Sequence, residues 1–365
     1  MSFVVKGWCP GALRPMMSGD GLVVRVRPRM ARLTAAQVRG LAQAALAHGN
    51  GLIDLTARAN LQLRGVRPAA HLALLDDLNA LGLLDEDEAV ERHRNVVVSP
   101  FWTDGDGTAE VVAAVLRVLA APEFAGLAGK FGVSVDLGQP VLQAVSADIR
   151  IERLGLGWLV RSDGFATGAL GPDVEGALRR LLGWFLPFGV GRMVELAGQN
   201  LPPGFDHAGL RAVYAAVPAQ HPLGRMMGIA FGQLRAEVLL ELSDHALRIT
   251  PWRMILIEGM TAVPDLAGLI CEAHDPLLRV TACTGGPGCP QALQPTRDLA
   301  RALAAEVPVG RHLHVSGCAK GCAHPEVADV TLTGTQGGFD LIRGGRASDP
   351  PTARYSTATN PFKAL

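Results

Sequence analysis

Two stretches of this chain, "IDLTARANLQLRGV" (53–66) and "LRITPWRMILIEGM" (247–260), follow one pattern. Thr56 aligns with Thr250, Leu63 with Ile257 and Gly65 with Gly259. Alternating apolar residues that end at a glycine suit a strand running into a turn. The flanks repeat as well. "RLTAAQVRGLAQAALAHGNG" carries apolar residues at helical spacing behind a capping Thr34, and "QLRAEVLLELSDHA" is a shorter helix in the corresponding place. Downstream, the helical "PAAHLALLDDLNALGLL" is echoed by "AVPDLAGLICEAHD", "RNVVVSPFWTDGDG" by "LRVTACTGGPGCP", and "KFGVSVDLGQP" by "RHLHVSGCAKGCAHP". Two hairpin-like segments with Gly-rich turns follow, "ADIRIERLGLGWLVR" and "ADVTLTGTQGGFDLIR". Matches in one order along the chain make two related halves, roughly 1–185 and 215–347. The expected fold is α+β, built twice.

With 365 residues and 48% hydrophobic composition, the chain can bury a large core and form two or three domains. Its formal net charge is zero, so no global field favours nucleic acid or a membrane. Charge is uneven locally. Residues 1–67 hold ten Lys or Arg against Asp20 and Asp54, and residues 76–110 hold ten Asp or Glu against Arg92 and Arg94. Such a basic segment suits an anionic small ligand, or a solvated face balanced by its neighbour. The apolar run in "MSFVVKGWCPGALRP" is too short for a signal peptide, and no run reaches the ~18 residues of a membrane span. The expectation is a cytoplasmic protein without membrane or nucleic-acid partners. There thiols stay reduced, and clustered cysteines bind metal or do chemistry.

Four of the six cysteines are clustered. Cys283 and Cys289 enclose "TGGPG", and Cys318 and Cys322 enclose "AKG". The matching loops of the first half have no cysteine, so the thiols are an addition to a scaffold that folds without them. Structural zinc favours tighter pairs. Four thiolates in glycine-rich loops suit a cubane iron–sulfur cluster, with zinc or unligated thiols as the alternatives. Cys271 reads as a core residue on a helix; Cys9 lies in a loop, more readily apart from the site than near it.

This arrangement in the second of two duplicated halves resembles the sulfite and nitrite reductases, which couple a 4Fe–4S cluster to sirohaem. Within that superfamily the chain most resembles the precorrin-3B synthase family, through "GWCPGALRPMMSGDGLVVRVRP" (7–28), "LTARANLQLRGV" (55–66), "LRITPWR" (247–253) and "SGCAKGCAHP" (316–325). The resemblance implies a pseudo-twofold duplicated reductase-like fold, with ferredoxin-like half-domains around a central tetrapyrrole site. Its divisions would be a first ferredoxin-like half-domain (1–70), a first reductase-like domain (71–214), a second ferredoxin-like half-domain (215–262) pairing with the first, a second reductase-like domain carrying the cluster (263–347), and a C-terminal tail (348–365).

The chain departs from the reductases where they typically carry a second lysine, in a K-F-K run. Lys130 is kept, and Gly132 stands in the second place. A lost cation counts against reduction of a small oxyanion, and a glycine is expected to leave space beside the ring. Arg58, Asn60, Gln62 and Arg64 alternate with apolar Leu61 and Leu63, which reads as a row of donors on one strand face, matched to carboxylates or simply exposed. Arg25, Arg27 and Arg29 alternate too, as ligand face or surface charge. The resemblance adds Arg58, Arg94 and Lys130 as tetrapyrrole- or anion-binding residues, and Arg253 and Lys320 where the reductases carry other residues. It further implies precorrin-3A and O2 as substrates, hydroxylation with lactone formation, and a mononuclear non-haem iron whose ligands the sequence does not reveal. His312, His314 and His324 read as packed histidines rather than ligands. No catalytic residue is assigned. "GDGLVVRV" and "TGGPG" lack the setting of a dinucleotide fold, so electrons are expected from a separate donor or reductase. A sirohaem sulfite or nitrite reductase is the alternative, and a non-catalytic cluster-bearing tetrapyrrole-binding protein a second.

Overall fold

The computed structural model describes residues 9–356 and 360–363; residues 1–8, which hold the start of the N-terminal stretch read above, and residues 357–359 and 364–365 of the tail lie outside them. Four sheets carry the architecture, in two matching pairs. The first sheet runs Met16–Ser18, Gly21–Val26, Leu61–Val66, Leu52–Leu55 and Gln233–Arg235. Its counterpart runs Ala219–His221, Gly224–Ile229, Met254–Glu258, Leu247–Ile249 and Arg32–Leu33. The last strand of each sheet comes from the other half. Leu234 pairs with Ile53, and Leu33 with Leu247. The exchanged strands are only two or three residues long, yet Leu33 and Leu234 are buried. Each covers an edge that would otherwise expose unpaired N–H and C=O groups. The exchange also locks the halves together, because each half completes the other's sheet.

Helices Ala35–His48, His71–Ala80 and Ala236–Glu241 pack on these sheets. The first starts at a reciprocal cap: Thr34 accepts the Gln37 N–H while the Gln37 side chain accepts the Thr34 N–H. Glu258 ties the exchange electrostatically. It accepts from Arg32 at 2.8 and 2.7 Å and from Arg248 at 2.6 Å. These bonds, the Arg32 bond foremost, hold its carboxyl below the usual range.

The other two sheets share an order as well. In the first half, Val96–Val98, Val133–Asp136, Ile149–Leu154, Gly157–Ser162 and Thr167–Gly171 lie side by side, with His207–Ala208 at the edge. In the second, Val280–Ala282, Leu313–Ser316, Ala328–Thr335, Gly338–Gly345 and Ala353–Arg354 occupy the same places. Both open with parallel pairs and continue antiparallel. Helix Thr108–Leu119 follows the first strand of one sheet, and helix Arg297–Leu303 that of the other. The duplication is therefore present strand by strand. The chain has the α+β, pseudo-twofold architecture expected. The C-terminal stretch joins it: Ala353–Arg354 pairs with Gly338–Gly345, and Phe362 is buried against the same core.

One expected helix is absent. The segment "AVPDLAGLICEAHD" forms loop and a two-residue strand, Leu269–Ile270, followed by a short turn of helix at Pro276–Arg279. Pro264 lacks the N–H a helix needs, and Gly268 takes a left-handed backbone with φ 93. Cys271 is consequently a half-buried loop residue, packed at the edge of the main core with Sγ 3.8 Å from the Pro264 carbonyl.

Candidate functional site

The two "Thr" segments of the repeat each make a tight turn. Thr56 Oγ1 accepts the N–H groups of Arg58 and Asn60 at 3.3 and 3.2 Å, and Ala59 takes φ 53. Thr250 Oγ1 does the same for Trp252 and Met254, both at 3.3 Å, and Arg253 takes φ 58. The expected row of donors at period two is therefore broken. Only Gln62 and Arg64 stand on the strand, Leu61–Val66. Arg58 lies in the turn, where its guanidinium donates to the Lys130 carbonyl at 2.9 Å and leaves a buried Nη1 without a partner among the described residues. Asn60 is buried and lines a separate pocket.

The turns border a cleft of about 790 Å³ between the halves. Among the described residues its cations are Arg25, Lys130, Arg253, Arg297 and Lys320, and its one carboxylate is Asp54. Burial pushes Arg25, Arg253 and Arg297 below the ordinary guanidinium range. Asp54 offsets this at Arg297, from 3.5 Å. Buried positive charge so incompletely balanced favours an anionic occupant. Gln62 also lines the cleft, and turning its amide places its oxygen 2.9 Å from Arg25 Nη2.

Cys283, Cys289 and Cys322 stand in the cleft wall. Cys283 follows strand Val280–Ala282, and Cys318 follows Leu313–Ser316, its parallel neighbour. Parallel pairing thus brings both cysteine loops to one sheet end. The Gly317 N–H donates to Cys283 Sγ at 3.1 Å, and Thr296 Oγ1 donates to the Cys283 carbonyl at 2.7 Å. Gly285, with φ 68, has no room for a side chain, since a Cβ would lie 2.7 Å from Thr296 Oγ1. Burial raises the Cys318 and Cys322 thiols, and negative charge on Cys283 and Cys289 raises both further. Four thiols close enough to repel as thiolates are a donor set that a cationic iron core would relieve. Among the described residues no group of three or more His, Cys, Asp or Glu is placed to hold a single metal ion. A cubane asks for wider spacing, because each thiolate takes its own iron. Cys318 also borders a second cavity.

The remaining expected residues separate. Lys130, Arg253 and Lys320 join Gln62 in the cleft. Arg253 donates to the Ala323 carbonyl at 2.7 Å, next to Cys322. Arg94 and Arg64 do not line it. Arg94 lies 2.7 Å from Asp85 and donates to the Arg27 carbonyl, which aims it away. Arg64 is buried and donates to Asp20 at 2.7 and 3.1 Å and to the Gly288 carbonyl at 2.9 Å, clasping the first sheet to the Cys289 loop. Gly132 is buried outside the cleft, and a Cβ there would face the Asn95 carbonyl at 3.4 Å. It leaves no space beside a ring, contrary to expectation. Cys9, Arg25, Asp54 and Arg297 also line the cleft; the sequence offered Cys9 and Arg25 as candidates and left Asp54 and Arg297 unassigned. The alternation of Arg25 with apolar neighbours was a signal for one of them; Asp54 and Arg297 carry none.

His312, His314 and His324 pack behind the Cys318 loop, with ring centroids 4.6 and 5.6 Å apart. Burial pushes His312 down to about 4 and His314 to about 3, so both are neutral. No ion is assigned to them.

Residues 14–81 match the nitrite/sulfite reductase ferredoxin-like half domain. The precorrin-3B synthase of a Sinorhizobium species is 32% identical, over 95% of this chain and 85% of its own. The chain belongs to the precorrin-3B synthase family. A ferredoxin–nitrite reductase of Leptolyngbya laminosa is 24% identical over 93% of this chain and 83% of its own. The NirA protein of Mycobacterium tuberculosis shares the fold, with a TM-score of 0.64 and 19% identity over 89% of this chain and 74% of its own. The family's cleft is thus set on a scaffold common to the superfamily.

Proposed function

We propose that this protein is a precorrin-3B synthase, an iron–sulfur monooxygenase that hydroxylates precorrin-3A and forms a lactone. The observation that carries this reading is the cleft, in which, among the described residues, five cations face one carboxylate beside four thiols. A tetrapyrrole bearing several acetate and propionate arms meets that charge. Arg25, Arg253 and Arg297 would receive carboxylates through their planar forks, and Lys130 and Lys320 as point charges. Held this way, the macrocycle lies against the Cys322 loop and excludes water from it. A 4Fe–4S cluster on Cys283, Cys289, Cys318 and Cys322 would supply one-electron transfer at that wall. The reaction puts one atom of O2 into the product and releases the other as water, drawing two electrons from a separate donor. No residue is assigned to a mononuclear iron.

The test is anaerobic purification followed by turnover of precorrin-3A under 18O2 with a chemical reductant. One labelled oxygen per product, from a protein without a sirohaem Soret band, is the expected result. A sirohaem spectrum with six-electron reduction of sulfite or nitrite would replace this reading by the reductase. Tetrapyrrole binding without turnover would leave a binding protein.

A further inference from the structure

Among the described residues, five that are not glycine hold a left-handed backbone: Met30, Ala31, Ala59, Phe231 and Arg253. Strain of this kind, of order 1–3 kcal/mol each, gathers at functional sites. Phe231 and Arg253 line the cleft. Met30, Ala31 and Ala59 line a different pocket, of about 200 Å³. The two sets are counterparts in the duplication. Phe231 and Met30 both sit in three-residue helical turns that follow the second strand of their sheets, and Arg253 and Ala59 close the two Thr turns. Val98, in the pocket, and Ala282, in the cleft, end equivalent strands. The smaller pocket is therefore the pseudo-twofold mate of the cleft.

Its lining is mixed, with Arg27, Arg29 and Arg94 beside apolar Val96, Val112 and Leu116. Arg27 is 6% exposed; its Nη1 donates to the Glu91 carbonyl at 2.7 Å, and its Nε is buried without a hydrogen-bond partner among the described residues. Glu91 stands 3.5 Å from Arg27, and Asp85 is 2.7 Å from Arg94. Three guanidiniums against two carboxylates leave one positive charge. An unsatisfied buried donor costs about 1–3 kcal/mol until something accepts from it. At about 200 Å³ against about 790 Å³ the pocket is roughly a quarter of the cleft, below the usual range for drug-sized ligands of roughly 300–1,000 Å³, which limits its occupant to a small molecule.

We infer that this pocket is a second ligand site, built for a small flat monocarboxylate whose carboxyl meets Arg27 and Arg29 and whose apolar body lies on helix Thr108–Leu119. The site shares a wall with the cleft: Thr56 and Ala57 line the cleft, while Ala59 and Asn60 line the pocket. The inference does not depend on which reaction the cleft performs.

The experiment is calorimetric titration of the full chain with 1-naphthoate, and with neutral 1-naphthamide for comparison. One naphthoate should bind, at least about tenfold tighter than the amide, the lower end of what a hydrogen bond to a charged group supplies. Arg29→Glu should weaken it by a similar factor or more, and Ala113→Trp, which fills the pocket, should remove it. Both positions are exposed, so both variants keep the wild-type circular dichroism. Arg253→Ala, in the cleft, should leave naphthoate affinity unchanged. No binding, equal binding of the amide, or loss with Arg253→Ala but not with Ala113→Trp would overturn the inference.

Discussion

Replacing Arg64 by methionine separates a ligand residue from a structural clasp. The sequence suggests that Arg64 receives carboxylates; the structure gives its fork to Asp20, Gly288 and, at 3.6 Å, Asp54. Its side chain is 7% exposed, and those of Asp20 and Asp54 are 18% and 13% exposed. Removing one member of a well-buried ion pair costs about 3–5 kcal/mol, because the other is left desolvated. Here the loss is smaller. Asp20 still accepts from Asn50 at 3.2 Å, and Asp54 from Gln233 at 2.9 Å. The Gly288 carbonyl keeps Ser18 at 2.7 Å and the Gly19 N–H at 3.2 Å. Methionine also retains most of the buried volume. Both considerations bring the expected destabilisation to about 2–3 kcal/mol, the range for one charge-assisted hydrogen bond plus partial desolvation. Urea titration followed by circular dichroism measures it, and hydrogen exchange at the Gly19 amide reports the clasp locally. Tetrapyrrole affinity, measured where both proteins are folded, should change little. Unaltered stability with tetrapyrrole affinity lost tenfold or more would refute the clasp and return Arg64 to the ligand face.

Four further outcomes are expected. Cys283→Ser, Cys289→Ser, Cys318→Ser and Cys322→Ser should each lower iron and acid-labile sulfide, while Cys271→Ser keeps iron near wild type; equal damage at Cys271 would void the ligand assignment. Arg253→Ala should weaken tetrapyrrole binding by about 1.5–3 kcal/mol, and Arg94→Ala should do so far less, as titration by absorbance would show. Asp136, 2% exposed, is pushed by burial from 3.8 up to about 6. The folded state therefore holds its proton more tightly, and this contribution to stability is full below about pH 4 and lost as pH rises through 6, by up to about 3 kcal/mol. The stability difference between wild type and Asp136→Asn should drop over that window, and a flat difference would contradict it. Gly132→Lys should destabilise by about 1–3 kcal/mol, since Gly132 is buried and a long charged chain there must be fitted into packed surroundings, and should create no sulfite reduction; a thermal melt and a viologen-linked assay check the two parts.

The sequence by itself determined the duplication and the set of four thiols. Apolar residues at period two and at helical spacing are local signals, and they placed the hairpins, the helix behind Thr34 and the strands that deliver Cys283 and Cys318. Short-range spacing could not place side chains whose direction depends on distant partners. Arg64 turns to Asp20 and Gly288, and Arg94 to Asp85, because those carboxylates and carbonyls arrive from elsewhere in the chain. Residues 56–60 continue a strand in pattern, yet Thr56 Oγ1 captures two backbone N–H groups and bends them into a turn. The exchanged strands Arg32–Leu33 and Gln233–Arg235 are too short to carry a periodic signal. Only tertiary pairing identifies them, and it is that pairing which sets the two halves face to face and brings Arg25 and Lys130 opposite Arg253, Arg297 and the cysteine loops.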